Sequence, residues 1–551
     1  MATSVPLSSA NGGLDADAPA AAPQAHQPDK SWQATLWSLL GWCLPALLLG
    51  LALRVAVTWS MPYGYVQYDS ADYLITTDHF IENHRFYVHN KRSYLTPALF
   101  SAAFLLPGSA AATIAAAQHL MGLIGTVLVG ALVRLWFRFW RVAIIPVTVL
   151  FAANPSIIWY EHTLMGEAQF LFFTLLLVFA GTLFALRPTT RRFVWFIVCL
   201  LLVFGTRLES KTFLLFALLL AILPLWKQWR RVAIGVAAVA VSYAVAFHVS
   251  GDRDVSALVY ASLLRFAPAT SRSTPDIMPR IVPIQEEARL ASAEFPTGLV
   301  QFQKKINHAV EDYVGERIKG RKKQLAEEGR IVRGLCLETL LAEPVRTLTE
   351  PWIKFRLAID AWSSYRWDKR SLWENQRTAY TARDWMVDVL GRGLTGQPMT
   401  AEQLPDWLKM HYSAGRVAWF TRYQKNWSKY LVHFRTPDRT LTEKRWVHDF
   451  YGGVGDWQHT MPGVPFFYII GFLGMIAAIL RPSPLRPVHF AWVATVLGGL
   501  YVASMIGVTN GRFRFAYEPF FLLYFFLCFD CAADFWKSLR DRRAASRACS
   551  T

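Results

Sequence analysis

Cysteine is scarce in this sequence and forms no recognisable framework. Six cysteines occur among 551 residues, and most of them lie in apolar stretches or in the C-terminal tail. A small secreted fold held together by disulfides is therefore not indicated. Cys528 and Cys531 have C-x-x-C spacing, but no partner ligands accompany them. Because they fall near the end of an apolar segment, we interpret them as packing residues rather than as a metal or redox site.

Signatures of several soluble enzyme classes are missing as well. The chain contains no P-loop, no G-x-G-x-x-G run followed by a helix, and no Ser/His/Asp arrangement of a nucleophilic triad. No internal repeat is visible, and none of the inverted repeats on which many transporters are built. Nucleotide-binding enzymes and serine hydrolases are therefore not predicted, and a transporter is disfavoured.

Apolar and aromatic residues are what the chain has in abundance. Hydrophobic residues make up 53% of it, the mean hydropathy is +0.25 and 22 residues are Trp, values too high for an ordinary soluble protein. The formal net charge of +18 could suggest a nucleic-acid partner, but the basic residues form short clusters between apolar stretches. This distribution is the positive-inside pattern of a multispanning membrane protein, so we predict a lipid bilayer as partner and no nucleic acid. The clusters are Arg134, Arg138 and Arg141; Arg187, Arg191 and Arg192; Lys227, Arg230 and Arg231; Arg481 and Arg486; and Lys537, Arg540, Arg542 and Arg543.

The hydropathy pattern predicts an all-α polytopic membrane protein with about ten transmembrane helices. Counted alternately, these spans put every basic cluster on the cytoplasmic side, and Asp69, Glu161, Glu167 and Arg512 on the periplasmic side. This agreement across the loops supports the predicted topology. An apolar segment at 94–107 has the length of an interfacial or re-entrant element. The predicted spans are 36–58, 110–133, 142–158, 168–186, 193–204, 212–226, 232–249, 465–480, 488–508 and 515–536.

Composition divides the chain into five predicted segments. Residues 1–30 are rich in Ala, Pro, Asp and Ser, which predicts a disordered cytoplasmic tail rather than a signal peptide. Residues 31–249 predict an N-terminal transmembrane catalytic module with a periplasmic loop at 59–109. Residues 250–463 predict a mainly helical periplasmic domain, whose Trp-rich part at 362–463 suits lipid headgroups, a carbohydrate platform or a helical core. Residues 464–536 predict the C-terminal transmembrane helices, and 537–551 predict a cytoplasmic tail.

The stretch after the first predicted span is rich in carboxylates. Asp69 and Asp72 lie three residues apart in 68–73 (YDSADY), and the run continues with helical spacing. Charge is costly next to hydrocarbon, so acids at this boundary need a reason. Capping of a short interfacial helix is the alternative that the local sequence favours. On a helix the two acids share a face, so either can be the base while the other orients an acceptor.

Other charged residues fall on the same predicted side of the membrane. Each has an ordinary explanation: Arg54 can snorkel to the interface, Glu209 can be the counter-ion of Arg207, and His162 can be an interfacial histidine. Together they place acids and arginines at one membrane depth, which makes them functional candidates. The candidates are Arg54; Glu161, His162 and Glu167; Arg207 and Glu209; and Arg512 and Arg514.

The chemistry that suits such a set is transfer from a lipid phosphate. Arginine offers a permanently charged fork for phosphate oxygens, and it stabilises the charge that a leaving phosphate carries away. A carboxylate can remove the proton of an acceptor hydroxyl as that hydroxyl attacks an anomeric carbon.

Five short motifs occur in order along the predicted periplasmic side. They are 69–74 (DSADYL), 92–97 (RSYLTP), 166–168 (GEA), 206–209 (TRLE) and 512–519 (RFRFAYEP). In this order they resemble the GT-C superfamily, multispanning glycosyltransferases that use polyprenyl-phosphate sugars. The nearest resemblance is to the bacterial branch that includes protein mannosyltransferases and the lipid A aminoarabinose transferase. Leu208 departs from the pattern, because the family usually has proline there.

The resemblance implies an inverting glycosyltransferase that moves a sugar from a polyprenyl-phosphate donor to a glycan, lipid or protein hydroxyl. It also implies the inner membrane of a bacterium as location, with the active site on the periplasmic side. It implies Asp69 as the general base and the late arginines, Arg512 and Arg514, as contacts to the donor phosphate. Some relatives bind a divalent cation, so a cation is allowed for, but the sequence shows no clear ligand cluster. The other candidates are Asp72 for catalysis, Arg54 and Arg207 for the donor phosphate, and Tyr73, Arg92, Glu161, His162, Glu167 and Glu209 for substrate.

Three other functions compete with this one. A flippase of lipid-linked saccharides would use the same arginines, but the charges gather at one face and do not run through the midplane. A polymerase or ligase with a pyrophosphate-linked donor differs only in the donor, which the sequence does not distinguish. A non-catalytic assembly protein leaves Asp69 unexplained.

Overall fold

The described part of the chain is helical throughout. The computed structural model describes residues 32–60, 93–106, 110–250, 268–290, 297–353, 464–506 and 516–550, with positions 64, 65, 70, 73, 77, 80, 81 and 264. No strand forms within these ranges, so the predicted all-α class is confirmed for them. The predicted N-terminal tail, the Trp-rich part at 362–463 and five candidate residues lie outside the described residues. These five are Asp69, Asp72, Arg92, Arg512 and Arg514.

The helices are numbered here in chain order. They are α1 (Trp32–Ser60), α2 (Leu95–Phe104), α3 (Ala110–Trp136), α4 (Trp140–Ala152), α5 (Pro155–Glu161), α6 (Glu167–Leu186), α7 (Thr190–Thr206), α8 (Phe213–Ile222), α9 (Trp229–Ser250), α10 (Met278–Leu290), α11 (Thr297–Gly315), α12 (Arg321–Ala342), α13 (Pro344–Ile353), α14 (Val464–Leu480), α15 (Arg486–Ile506) and α16 (Glu518–Ser550). Short 3₁₀ helices cover Leu208–Thr212, Leu223–Leu225 and Pro275–Ile277.

Within the described part of the chain, five helices are long and apolar enough to cross a membrane, which supports the predicted membrane protein. A bent pair, α4 with α5, makes a sixth if it is counted as one span. The total of ten spans stays a prediction. The five segments are Ala34–Trp59, Ala110–Trp136, Glu167–Leu186, Trp229–Ala246 and Glu518–Arg547.

The predicted span at 142–158 is interrupted by a bend. Helices α4 and α5 meet at 51° across Ala153 and Asn154. Asn154 is extended and its side chain accepts hydrogen bonds from the backbone N–H groups of Ser156 and Ile157. Pro155 follows in the first turn, where its missing N–H costs nothing. An N-cap followed by proline starts a new helix, so the axis of α5 points in a different direction from that of α4.

The apolar helices share one large buried core. Helices α1, α3, α4 and α6 pack on one another, while α14 packs closely along α16. Gly474 permits this second contact, because a Cβ there would lie 1.9 Å from the carbonyl oxygen of Tyr524. Helices that approach so closely gain dispersion contacts along their whole length.

Asp530 joins three parts of the bundle beside Arg138 and Arg481, which belong to two of the basic clusters. It is 6% exposed and accepts hydrogen bonds from the backbone N–H groups of Arg138 (3.0 Å) and Phe139 (2.8 Å). Arg481 donates to the same carboxylate at 3.0 Å. One side chain of α16 therefore holds the turn between α3 and α4 and the end of α14. Helix α16 continues without a break through most of the predicted tail at 537–551.

Helices α10, α11 and α12 build a smaller core of their own. Its buried members include Ile281, Ile306 and Leu335. The described part of the predicted periplasmic domain is thus helical, as its spacing predicted. Helix α13 reaches the apolar bundle, where the Tyr501 hydroxyl of α15 donates to the carbonyl oxygen of Leu348 at 3.0 Å.

Candidate functional site

A buried ion pair between α1 and α5 lies at the centre of the candidate site. Arg54 donates from Nε to Oε2 of Glu161 at 2.7 Å and from Nη2 to Oε1 at 2.6 Å. Both residues are 2% exposed. Nη1 of Arg54 donates to the carbonyl oxygens of Gly50 and Ala152, each at 3.0 Å. All three guanidinium nitrogens are therefore bonded to protein oxygens, and the bidentate geometry fixes how α5 meets α1.

Two histidines extend this pair into a chain of polar contacts. Nδ1 of His119, on α3, lies 3.0 Å from Oε2 of Glu161. Nε2 of the same ring lies 2.9 Å from Nδ1 of His162, the residue that ends α5. The two rings stack with their centroids 5.1 Å apart. His162 is fully buried and His119 is 6% exposed, so the chain of contacts runs through the protein interior.

A glycine of α3 makes room for the ion pair. A Cβ at Gly122 would lie 1.7 Å from Oε1 of Glu161 and 2.8 Å from Nη2 of Arg54. Any side chain at this position must displace the carboxylate, since no real Cβ contact is that short. The helix surface between His119 and Gly122 is therefore shaped around the Arg54–Glu161 pair.

The end of α5 holds the segment that leads from α1 towards Asp69. Tyr65 donates its backbone N–H to the carbonyl oxygen of His162 at 2.5 Å, and its own carbonyl accepts from Leu164 N at 2.8 Å. Its ring stacks on Trp159 with centroids 4.6 Å apart. Tyr65 lies four positions before Asp69 in the chain.

A second buried ion pair joins α6 to the end of α7. Nη1 of Arg207 lies 2.6 Å from Oε1 of Glu167, and these residues are 4% and 0% exposed. The Arg207 guanidinium also lies over the ring of Phe170, with Cζ 5.9 Å from its centroid. Glu167 is in the first turn of α6, where the helix dipole favours a carboxylate.

Four of the sequence motifs meet beside this second pair. A Cβ at Gly166 would lie 2.8 Å from the Thr96 hydroxyl and 3.2 Å from the Tyr73 hydroxyl, so both side chains border the start of α6. Thr96 also donates to the carbonyl oxygen of Thr206 at 3.4 Å. The described residues of the first four motifs are therefore in contact, although 133 positions separate Tyr73 from Thr206 along the chain.

The fifth motif lies next to the fourth. The hydroxyls of Tyr517 and Thr212 are 2.8 Å apart, and the Tyr517 ring stacks on Phe213 with centroids 6.0 Å apart. Tyr517 is three positions from Arg514, and Thr212 is five positions from Arg207. The chain thus brings the segment that follows Arg512 and Arg514 to the 3₁₀ helix that follows Arg207.

Sequence reasoning missed His119 and Gln118. Both are buried on α3, and the amide nitrogen of Gln118 donates to the carbonyl oxygen of Met165 at 2.8 Å. Consecutive polar residues inside a long apolar helix were the signal, because such groups are rarely placed in a span without a role.

The predicted candidates fall into four groups. Arg54, Glu161 and His162 belong to the first polar chain, and Tyr73, Glu167 and Arg207 lie at the second pair. Glu209 is in the 3₁₀ helix Leu208–Thr212, although only its backbone is described. The remaining candidates, Asp69, Asp72, Arg92, Arg512 and Arg514, are outside the described residues. Among described residues, no group of three or more His, Cys, Asp or Glu side chains is arranged to hold a metal ion.

Comparison with known proteins assigns no family. No protein-family model matches the chain. No curated protein matches it at a significant level. Inference of the function therefore rests on the residues, their contacts and the resemblance of the motifs.

Proposed function

We propose that this protein is a membrane glycosyltransferase of the GT-C type. It takes a sugar from a polyprenyl-phosphate donor and transfers it, with inversion, to a hydroxyl of a glycan, lipid or protein. In this proposal the chain has ten spans, a helical periplasmic domain and an active site on the periplasmic side of a bacterial inner membrane. The alternation of basic clusters with apolar segments supports this topology.

The observation that carries the proposal is the meeting of the five motifs. Contacts among Tyr73, Thr96, Gly166 and Thr206, the Arg207–Glu167 pair and the Tyr517–Thr212 contact bring distant parts of the chain to one place. Two buried ion pairs stand within this apolar bundle, where unpaired charge is expensive. Helix packing alone does not require such a set of polar contacts. Binding of a polar substrate is the reason that we propose for their presence.

Asp69 is the general base in the proposed reaction. The acceptor hydroxyl attacks the anomeric carbon, and its proton passes to the Asp69 carboxylate as the new C–O bond forms. The bond between the anomeric carbon and the phosphate oxygen breaks, and polyprenyl phosphate leaves with the bonding electrons. Asp72 is the second candidate for the base, because it shares a helical face with Asp69.

The arginines divide into two proposed roles. Arg512, Arg514 and Arg207 contact the donor phosphate and stabilise the charge that it gains on leaving. The guanidinium nitrogens of Arg54 are bonded to protein oxygens. Arg54 therefore supports the site indirectly, by fixing the positions of Glu161 and the end of α5.

The decisive experiment measures transfer and donor binding in the same samples. Purified protein in lipid nanodiscs receives mannosyl or aminoarabinosyl polyprenyl phosphate with a labelled sugar, together with glycan, lipid and protein acceptor fractions. Wild type is compared with Asp69→Asn, Asp72→Asn and Asp541→Asn, the last an exposed carboxylate near the other end of α16. We expect Asp69→Asn to abolish transfer while donor binding survives, and Asp541→Asn to behave as wild type.

Other outcomes identify the error. Normal transfer by Asp69→Asn with loss in Asp72→Asn moves the base to Asp72. Normal transfer by both variants overturns the carboxylate mechanism. Donor that crosses the bilayer of proteoliposomes without losing its sugar replaces the transferase with a flippase.

A further inference from the structure

An apolar groove opens where α8 ends and α9 begins. Its volume is about 540 Å³, and every residue that lines it is apolar. Two tryptophans, Trp226 and Trp229, stand at its mouth and are 68% and 72% exposed. Val232, Ala233 and Val236, from the first turns of α9, form one wall. A groove with this lining accepts a hydrocarbon chain, while exposed indole rings suit the level of lipid headgroups.

Positive charge surrounds the same mouth. Lys227, Arg230 and Arg231 are exposed on the turn and on the first turn of α9. Nζ of Lys227 lies 5.5 Å from the Trp226 ring centroid, and Cζ of Arg230 lies 5.5 Å from that of Trp229. Lys227 and Arg230 therefore each stand over a groove-lining ring, and Arg231 follows Arg230 in the chain. The N-terminus of α9 adds its own partial positive charge at this point.

We propose that this groove is a binding site for one anionic phospholipid. An acyl chain lies along Val232, Ala233 and Val236, and the phosphodiester lies among Lys227, Arg230 and Arg231. Charge complementarity identifies the occupant, because two cations stand over lining residues of the groove, a third follows in the chain, and no carboxylate is among the lining residues. A zwitterionic lipid would fill the groove but gain little from these cations. A free phosphate would gain from the cations but leave the groove empty.

Lipid retention by purified protein tests the proposal. Delipidated protein in detergent is titrated with phosphatidylglycerol or with phosphatidylcholine of the same acyl chains, and bound lipid is counted by native mass spectrometry. One variant, Lys227→Gln/Arg230→Gln, removes two cations and keeps the groove. A second variant, Ala233→Trp, fills the groove and keeps the charge.

A matched control separates this site from general surface charge. Arg187→Gln/Arg191→Gln removes two exposed arginines, one that caps the end of α6 and one in the first turn of α7. We expect wild type and this control to retain one phosphatidylglycerol with the same affinity. Lys227→Gln/Arg230→Gln should lose about tenfold or more in affinity, since each nearby Lys or Arg contributes about a factor of five to binding of an anionic lipid. Ala233→Trp should lose about tenfold or more as well, because the acyl chain can no longer be buried in the groove.

Three results would overturn the proposal. Equal retention of phosphatidylcholine by wild type shows that no anion is recognised. An equal loss in the control shows that the charge of the whole protein end is responsible. Undiminished binding by Ala233→Trp shows that the groove is not the site. Size-exclusion profiles and helical circular dichroism of every variant establish that the folded protein is compared.

Discussion

Nε2 of His119 lies 2.9 Å from Nδ1 of His162, so one of these two nitrogens donates a hydrogen bond to the other. The other nitrogen of His119 faces Oε2 of Glu161 at 3.0 Å, and a carboxylate that already accepts from Arg54 can only accept again. Nδ1 of His119 therefore carries a proton. In the neutral ring Nε2 then accepts, and Nδ1 of His162 is the donor.

We expect both histidines to be neutral Nδ1–H tautomers. Selective ¹⁵N labelling of histidine should show two rings with protonated Nδ1, and both signals should change in His119→Phe. His489, whose Nδ1 lies 3.0 Å from the Tyr524 hydroxyl, serves as an unchanged reference. Protonation of both nitrogens of His119 would contradict this assignment, because His162 would then have to accept through Nδ1.

The glycine beside the Arg54–Glu161 pair gives a sharp test of the site geometry. Gly122→Ala places a methyl group 1.7 Å from Oε1 of Glu161, so the carboxylate or α3 must shift. We expect a loss of about 1–3 kcal/mol from overpacking, and more if the ion pair breaks. Thermal unfolding in detergent measures it.

Gly125 on the same helix is the matched control. A Cβ there would lie 3.4 Å from its nearest neighbour, the Leu175 side chain, which is close to ordinary contact. Gly125→Ala should therefore be neutral or stabilising, because alanine favours helix by about 1 kcal/mol over glycine. Equal melting temperatures of the two variants would show that α3 does not pack against the pair as described.

The Arg54–Glu161 pair itself should show strong coupling. Removing one partner leaves a buried charge without compensation, so Arg54→Met and Glu161→Gln should each cost about 3–5 kcal/mol. The double variant Arg54→Met/Glu161→Gln should cost less than the two single changes added together. Additive losses in such a double-mutant cycle would mean that the two side chains do not interact in the folded protein.

The sequence predicted helices more reliably than partners. Hydropathy indicated the apolar helices, since a local pattern is enough to define a span. The break at Asn154 was missed, although an Asn-Pro dipeptide was a local signal for a helix start. The pairing of Arg54 with Glu161 joins residues 107 positions apart and depends on tertiary packing, which no local pattern encodes.

Arg207 shows the same limit at the candidate site. Its neighbour Glu209 was considered as its counter-ion from sequence, while the structure pairs Arg207 with Glu167 of another helix at 2.6 Å. The sequence predicted a carboxylate as the counter-ion, and the structure provides one from another helix. The sequence could not identify the partner, because the contact forms only when α6 and α7 pack side by side.

The buried thiol of Cys336 gives a prediction for the smaller helical core. Cys336 is 1% exposed among α10, α11 and α12, and burial raises the pKa of its thiol well above the usual range. At pH 8 little of Cys336 is present as thiolate, and iodoacetamide cannot reach the buried sulfur. Alkylation of this cysteine should therefore be slow in the native protein. Peptide mass mapping should find modification at this position only after denaturation. Rapid labelling of native protein would mean that the core around α12 opens readily.

Substitution of Arg207 distinguishes a structural role of this residue from a role in donor binding. Arg207→Lys keeps the charge that pairs with Glu167 but loses the planar fork that suits phosphate oxygens. If Arg207 contacts the donor phosphate, affinity for polyprenyl phosphate per folded protein should fall about tenfold or more, with a small change in melting temperature. Glu167→Gln is the companion variant, since it removes the negative partner of Arg207 and leaves the guanidinium in place. If both variants lower stability alike and bind polyprenyl phosphate as wild type does, Arg207 only holds α6 to the end of α7, and the phosphate contacts must come from elsewhere.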